Sequence, residues 1–195
     1  MYEKYIQIIN DNGGIITSKN ANKKGISRTI LSKMVKNKSI KRIDYGIYAT
    51  NEFTYDELFI FQMKHPNTVY SFNTALYLLN KTERTPEKLD ITTTRNNSLG
   101  YCKDIVNIHR INNGMIEIGR IKVSTNTGKE VFSYNIERTI VDIISNRNVI
   151  EIELANKVIR KCIKEKDFNV NLMFEYAKKI KVYDKVKNYM EAIVW

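Results

Sequence analysis

Residues 27–49 read SRTILSKMVKNKSIKRIDYGIYA, and the order of patterns within them decides the fold of the first fifty residues. Ser27 is suited to cap a helix, because its hydroxyl can accept from a free N–H of the first turn. Ile30, Leu31, Met34 and Val35 then recur at helical spacing and form the inner stripe. The outer face collects Arg28, Thr29, Ser32, Lys33 and Lys36. Ser39 to Ile43 reads as a strand, Asp44-Tyr45-Gly46 as a tight turn and Ile47 to Ala49 as the returning strand of a β-wing. Toward the N-terminus, Gly25 supplies a turn after a short helix that Thr17 or Ser18 caps, that runs through Lys24 and that points Ala21 inward. Ile15-Ile16 reads as a short strand, Asn12-Gly13-Gly14 as a stop, and Tyr2, Tyr5, Ile6 and Ile9 as a first amphipathic helix. Helix, short helix, turn, helix and two-stranded wing is the order of a winged helix-turn-helix.

The charge is concentrated on the same stretch. Residues 1–50 hold ten Lys/Arg against three Asp/Glu, a net +7 of the chain's +11. Residues 51–150 contribute only +1 and residues 151–195 +3. Charge gathered on one small module is the footprint of a phosphate-backbone binder, which a basic isoelectric point alone would not establish. In such a module the second helix of the pair enters the major groove. Arg28 and the short polar side chains Ser27, Thr29 and Ser32 are then placed for base edges. Lys23, Lys24, Lys33, Lys36, Lys38, Lys41 and Arg42 are placed for phosphates, which position a protein without reading sequence. Tyr45, at the wing tip, is placed against the backbone or the minor groove. The opposing reading is a solvated lysine-rich face on a winged helix that binds protein.

The remaining composition is that of an ordinary folded chain: 43% hydrophobic and 27% charged over 195 residues, with 2 prolines and 8 glycines. Such a length accommodates one large domain or two modest ones, here 1–50 and 51–195. No apolar run approaches a membrane span and the first residues lack the apolar core of a signal peptide, so a cytoplasmic protein with no membrane partner is expected. Cys102 and Cys162 are expected as buried thiols rather than as a disulfide or a metal pair.

Past Asn51 the pattern is helix, helix, a small sheet, then several helices, an α+β arrangement. Leu58, Phe59, Phe61 and Met63 predict a helix ending near His65-Pro66. Ser71 to Asn80 predicts a helix capped by Ser71. Strands are predicted over Leu89 to Thr94, Asp104 to Ile111 and Met115 to Ser124, with a hairpin at Asn126-Thr127-Gly128-Lys129 before Val131 to Tyr134. Helical spacing covers Ile136 to Ser145, Glu151 to Lys164, Val170 to Lys179 and Tyr183 to Val194.

Chemical motifs are sparse. There is no glycine-rich phosphate loop and no dinucleotide fingerprint. His65 and His109 are the only histidines, and neither has metal-ligand spacing to a cysteine or to the other histidine. His65 reads as a helix-end residue and His109 as a surface or core-edge residue of a strand. No serine sits in a glycine-flanked nucleophile turn. Asp90, at a strand start, suits a metal nuclease, but the carboxylate-x-lysine expected downstream is missing and Glu117-Ile118-Gly119-Arg120 is the nearest approach. The expected catalytic, metal and cofactor sets are therefore empty. Glu137-Arg138-Thr139-Ile140-Val141-Asp142 stands out. Arg138 and Asp142, four apart, can pair along one helix face, with Ile140, Ile143 and Ile144 inward. A structural ion pair and a helix-dipole role for Glu137 account for these charges without further function.

Four segments in this order resemble the AbiEi family, the antitoxin half of AbiE abortive-infection toxin–antitoxin systems of type IV. They are Arg42 to Ala49, Ser71-Phe72-Asn73-Thr74-Ala75-Leu76, Pro86-Glu87-Lys88-Leu89-Asp90-Ile91-Thr92 and Glu137 to Asp142. The resemblance spans nearly the whole chain. It departs at Tyr77-Leu78-Leu79-Asn80, where relatives often carry a histidine-containing segment. What it implies is a bifunctional, non-enzymatic protein. The N-terminal domain would bind inverted repeats of double-stranded DNA in its own promoter and repress the operon. The C-terminal domain would counteract a nucleotidyltransferase-like toxin without a stable complex, through a surface around Ser71, Asn73, Arg138 and Asp142. Two other readings stay open: a plain transcription regulator whose second domain senses a ligand or oligomerises, and a nucleic-acid enzyme targeted by its winged helix. The basic positions Lys157, Arg160, Lys161 and Lys164 suit flanking DNA, a partner or a solvated face equally.

Overall fold

A computed structural model describes residues 2–99, 102, 104–146 and 149–194. Two compact units divide between Tyr55 and Asp56. The division falls five residues beyond the boundary drawn from sequence, because residues 50–51 are tied back to the first unit. The Thr50 amide donates to the Gly14 carbonyl (2.9 Å), and Asn51 Nδ2 donates to the Lys38 carbonyl (3.1 Å).

In the first unit α1 (Glu3–Asn10), β1 (Ile15–Thr17), α2 (Ser18–Lys23), α3 (Arg28–Lys36), β2 (Lys41–Asp44) and β3 (Ile47–Ala49) follow in order. Thr17 caps α2 by accepting from the Asn20 amide (3.2 Å), and Ser27 caps α3 by accepting from the Ile30 amide (3.3 Å). Gly46, at φ +70°, makes the reversal between β2 and β3, a conformation that costs glycine little. The hairpin was expected alone. Instead β3 is buried along its length and pairs antiparallel on both sides, giving the order β1-β3-β2. Ile9, Ile16, Ala21, Leu31, Met34 and Tyr48 close the core beneath it.

The second unit holds α4 (Glu57–Lys64), β4 (Thr68–Tyr70), α5 (Phe72–Leu78), β5 (Leu89–Thr94), β6 (Val106–Ile111), β7 (Arg120–Ser124), β8 (Glu130–Tyr134), α6 (Ile136–Ser145), α7 (Ile152–Ile163), α8 (Val170–Lys179) and α9 (Tyr183–Val194). Five strands form one mixed sheet in the order β6-β5-β4-β8-β7. The β5–β6 and β4–β8 pairs are parallel, and the β4–β5 and β7–β8 pairs are antiparallel. The chain is thus α+β, with helices and two sheets.

Two elements differ from the sequence pattern. The central strand β4 was not predicted, because three residues between Pro66 and Ser71 are too few for an alternation to register. Gln62 extends its sparse ladder: the side-chain amide donates to the carbonyls of Thr68 (3.1 Å) and Phe132 (3.0 Å). Its Oε1 accepts from the Phe132 amide (2.5 Å). The predicted strand from Met115 begins only at Arg120. Asn113–Met115 is a 3-10 turn, and Gly119, at φ +75°, breaks the extended run. A side chain there is excluded, since a Cβ would lie 2.5 Å from that of Arg138. Helix α6 is buried from Glu137 to Ile144, not along one stripe alone, with Ile140, Ile143 and Ile144 against Val158, Ile159, Met173 and Val186. Cys102 and Cys162 are both buried thiols.

Candidate nucleic-acid interface

Burial of Leu31 and Met34 fixes the rotation of α3, and that rotation sends Arg28, Thr29, Ser32, Lys33 and Lys36 to solvent. Ser27 is exposed at the head of the helix, and Lys23 and Lys24 are exposed where α2 ends. Lys38 leaves α3 at φ +63°, a left-handed turn that directs the chain into β2. On β2 and the following turn, Lys41, Arg42 and Tyr45 are exposed. Arg42 lies over the Tyr45 ring at 5.5 Å from its centroid, and Arg42 Nε donates to the Asp44 carbonyl (3.4 Å). Tyr45 itself is 85% exposed, a large aromatic held at a hairpin tip with no core to pack against. Lys41 Nζ donates to the Asn51 carbonyl (3.2 Å). All twelve residues singled out for DNA from sequence are therefore on the surface of this unit. Chemically the array offers one guanidinium and three short hydroxyls along α3, with ammonium groups around them, the mixture that base-edge and phosphate contacts need.

The four residues expected as an antitoxin surface are placed differently. Arg138 is 1% exposed. Its Nε donates to Asp142 Oδ1 (3.0 Å), its Nη1 donates to the carbonyls of Met115 (3.1 Å) and Ile118 (2.7 Å), and its guanidinium stacks 4.3 Å from the Tyr134 ring. Burial pushes the Asp142 carboxyl up from its ordinary range, against the opposing pull of Arg138. Ser71 occupies the N-cap position of α5, yet its hydroxyl makes no cap bond; Oγ is buried and unpartnered among the described residues. The following Phe72 has φ +45°, which carries the chain from β4 into α5 without the usual cap geometry. Ser71, Arg138 and Asp142 are thus interior and form no contact surface, a correction to the sequence reading; Asn73 alone is partly exposed. The structural account of the Arg138–Asp142 pair is the one the geometry bears out.

Asn73 belongs to a polar centre that sequence reasoning missed. Asp90 is buried on β5, and its carboxylate accepts from Asn73 Nδ2 (3.2 Å) and Asn107 Nδ2 (3.2 Å). His109 Nε2 lies 3.0 Å from Asp90 Oδ1, and the His109 ring stacks 4.1 Å from Phe72. The Asp90 amide donates to Thr74 Oγ1 (2.8 Å). The parallel register of β5 on β6 sets Asp90 opposite Asn107, a pairing of residues seventeen apart that no local motif announces. Glu117 is exposed and pairs with Arg120 (2.5 Å), so it does not complete a carboxylate pair with Asp90. His65 ends α4, buried against Phe61 with Cys102 Sγ 3.7 Å from Nε2. No group of three His, Cys, Asp or Glu side chains among the described residues is arranged to hold a metal. Lys157, Arg160, Lys161 and Lys164 are exposed along α7. No helix among the described residues is long and apolar enough to cross a membrane.

No protein-family model matches the chain, and no curated protein matches it. Its fold is similar to the crystal structure of the RV2827C protein from Mycobacterium tuberculosis, with a TM-score of 0.51 and 10% sequence identity. The match covers 94% of this chain and 76% of that one, and at such identity the likeness is one of fold: both chains share an α+β arrangement of helices and sheets.

Proposed function

We propose that the chain is a DNA-binding transcriptional autorepressor and an antitoxin, with a winged helix-turn-helix as its first unit. The observation that carries the DNA reading is the exposed array of α3, Lys38 and the β2–β3 hairpin on the most basic part of the chain. In this reading two copies occupy an inverted repeat in the promoter of the chain's own operon, each with α3 in a major groove. The second unit counteracts a nucleotidyltransferase-like toxin without a stable complex. That half of the reading rests on the resemblance carried by residues 42–49, 71–76, 86–92 and 137–142.

The test is binding of the full chain to a labelled promoter duplex containing the repeats and to a scrambled duplex, across about 50–200 mM salt. The proposal expects preference for the repeats and a steep loss of affinity with salt. Equal, weak binding to both duplexes overturns it. A second reading, a regulator whose second unit senses a ligand, is favoured by the cleft beside Asp90. Rescue of growth from the toxin separates the two, since only the first predicts it.

A further inference from the structure

A cleft of about 340 Å³ lies within the second unit, between the Asp90 centre and the start of α7. Asp90, Asn73 and Asn107 line its polar end. A carboxylate offers about four lone-pair sites. Among the described residues Asp90 Oδ1 accepts from Asn107 and His109, whereas Oδ2 accepts from Asn73 alone, which leaves acceptor capacity on a side chain only 1% exposed. Both asparagines spend an Nδ2 hydrogen on Asp90, and each keeps its carbonyl oxygen as an acceptor. Asp90 Oδ2 and the two amide oxygens make three acceptors on residues that line this end, the number of N–H donors on a primary ammonium.

The charge of the lining points the same way. Among the described residues of the lining, Arg84 and Lys88 stand against Glu87, Asp90 and Glu151, a net negative set on a chain of net charge +11. Arg84 engages Glu87 at 3.8 Å and Glu151 at 4.0 Å, both long for an ion pair and both between exposed groups, so a cation from solution competes with it at little cost. In the same lining, Val149, Ile150 and Leu154 supply apolar surface suited to a run of methylenes.

We propose that this cleft binds a small aliphatic diamine or polyamine: one ammonium at Asp90, the methylene chain along the apolar wall, the second ammonium at Glu87 and Glu151. The site is independent of the DNA-facing residues. Its test is titration of the full chain with putrescine and n-butylamine in excess potassium chloride, by calorimetry and by the side-chain amide NMR signals of Asn73 and Asn107. Putrescine is expected to bind saturably and shift both amides, with n-butylamine about tenfold weaker for want of the second charge. Replacing the two exposed carboxylates together, Glu87→Gln with Glu151→Gln, is expected to bring putrescine down to the n-butylamine level and leave n-butylamine unchanged. Asp90→Asn is expected to abolish both. Absence of saturable putrescine binding overturns the proposal. So does equal binding of uncharged 1,4-butanediol, and so does a double-glutamine variant with undiminished putrescine affinity.

Discussion

Arg138 concentrates the polar interior of the second unit in one side chain. Its guanidinium serves a carboxylate, two backbone carbonyls and an aromatic face at once, on a side chain only 1% exposed. Arg138→Met keeps most of the volume and removes every side-chain donor, so Asp142 Oδ1 and the Ile118 carbonyl lose their Arg138 partner, while the Met115 carbonyl keeps the Ile118 amide. Urea unfolding at neutral pH is expected to record a loss of about 3–5 kcal/mol. A loss within about 0.5 kcal/mol, as for a surface change, contradicts that account. The pH dependence follows from Asp142. Its native pKa is raised above the unfolded value of about 3.9, because burial outweighs the Arg138 attraction. A raised native pKa makes its contribution to stability fully present below the unfolded pKa and lost as pH rises through the native one. The stability of the native chain relative to Asp142→Asn is therefore expected to improve as pH is lowered through that window, and the Arg138→Met penalty to shrink. Parallel stability curves for the native chain and Asp142→Asn contradict it.

At the scale of elements, the proposed DNA reading divides the labour of α3 by position along the helix. Arg28 stands in the first turn and Lys36 in the last, both exposed. Arg28→Ala is expected to cost about 1–3 kcal/mol on the preferred duplex and to relax base preference at one position. Lys36→Ala is expected to weaken binding to all duplexes alike and to reduce the salt slope by about 1. Anisotropy titrations on specific and scrambled duplexes at several salt concentrations distinguish the two patterns; unchanged affinity for both variants assigns α3 another role. These outward positions were legible in the sequence because Leu31 and Met34 fix the helix phase by themselves. The bounds of α6 and α8 were legible from helical spacing, and those of β5 from its run of β-branched residues. The partners of Asp90 were not legible, because strand register across β5 and β6 brings Asn107 and His109 to it and the packing of α5 brings Asn73. Nor was the depth of Arg138: an Arg–Asp pair at i, i+4 reads the same on a surface as in a core. The strand β4 was hidden by its brevity, and the irregular run from Asn113 to Gly119 was hidden because Arg138, distant in sequence, takes its carbonyls.

For the whole molecule, the proposed division of labour has a consequence that neither unit tests alone. The residues proposed to face DNA lie in unit Met1–Tyr55, and the segments from Ser71 onward that carry the resemblance lie in unit Asp56–Trp195. If repression and neutralisation are carried by different units, they separate by substitution in the intact chain. A full-length variant with Arg28, Lys33 and Lys36 all changed to Ala alters only exposed side chains of one helix, and such changes usually move stability by less than about 0.5 kcal/mol each. It is expected to lose repression of a promoter reporter and still restore growth when the proposed nucleotidyltransferase-like toxin is expressed. The converse variant, Arg138→Met, is expected to lower the amount of folded second unit and with it the rescue. Thermal unfolding of both purified variants shows which losses are folding losses. Rescue abolished by the triple-alanine chain at full folded yield ties neutralisation to DNA binding, and failure of the native chain to rescue leaves a transcription regulator whose second unit answers to a ligand in the Asp90 cleft.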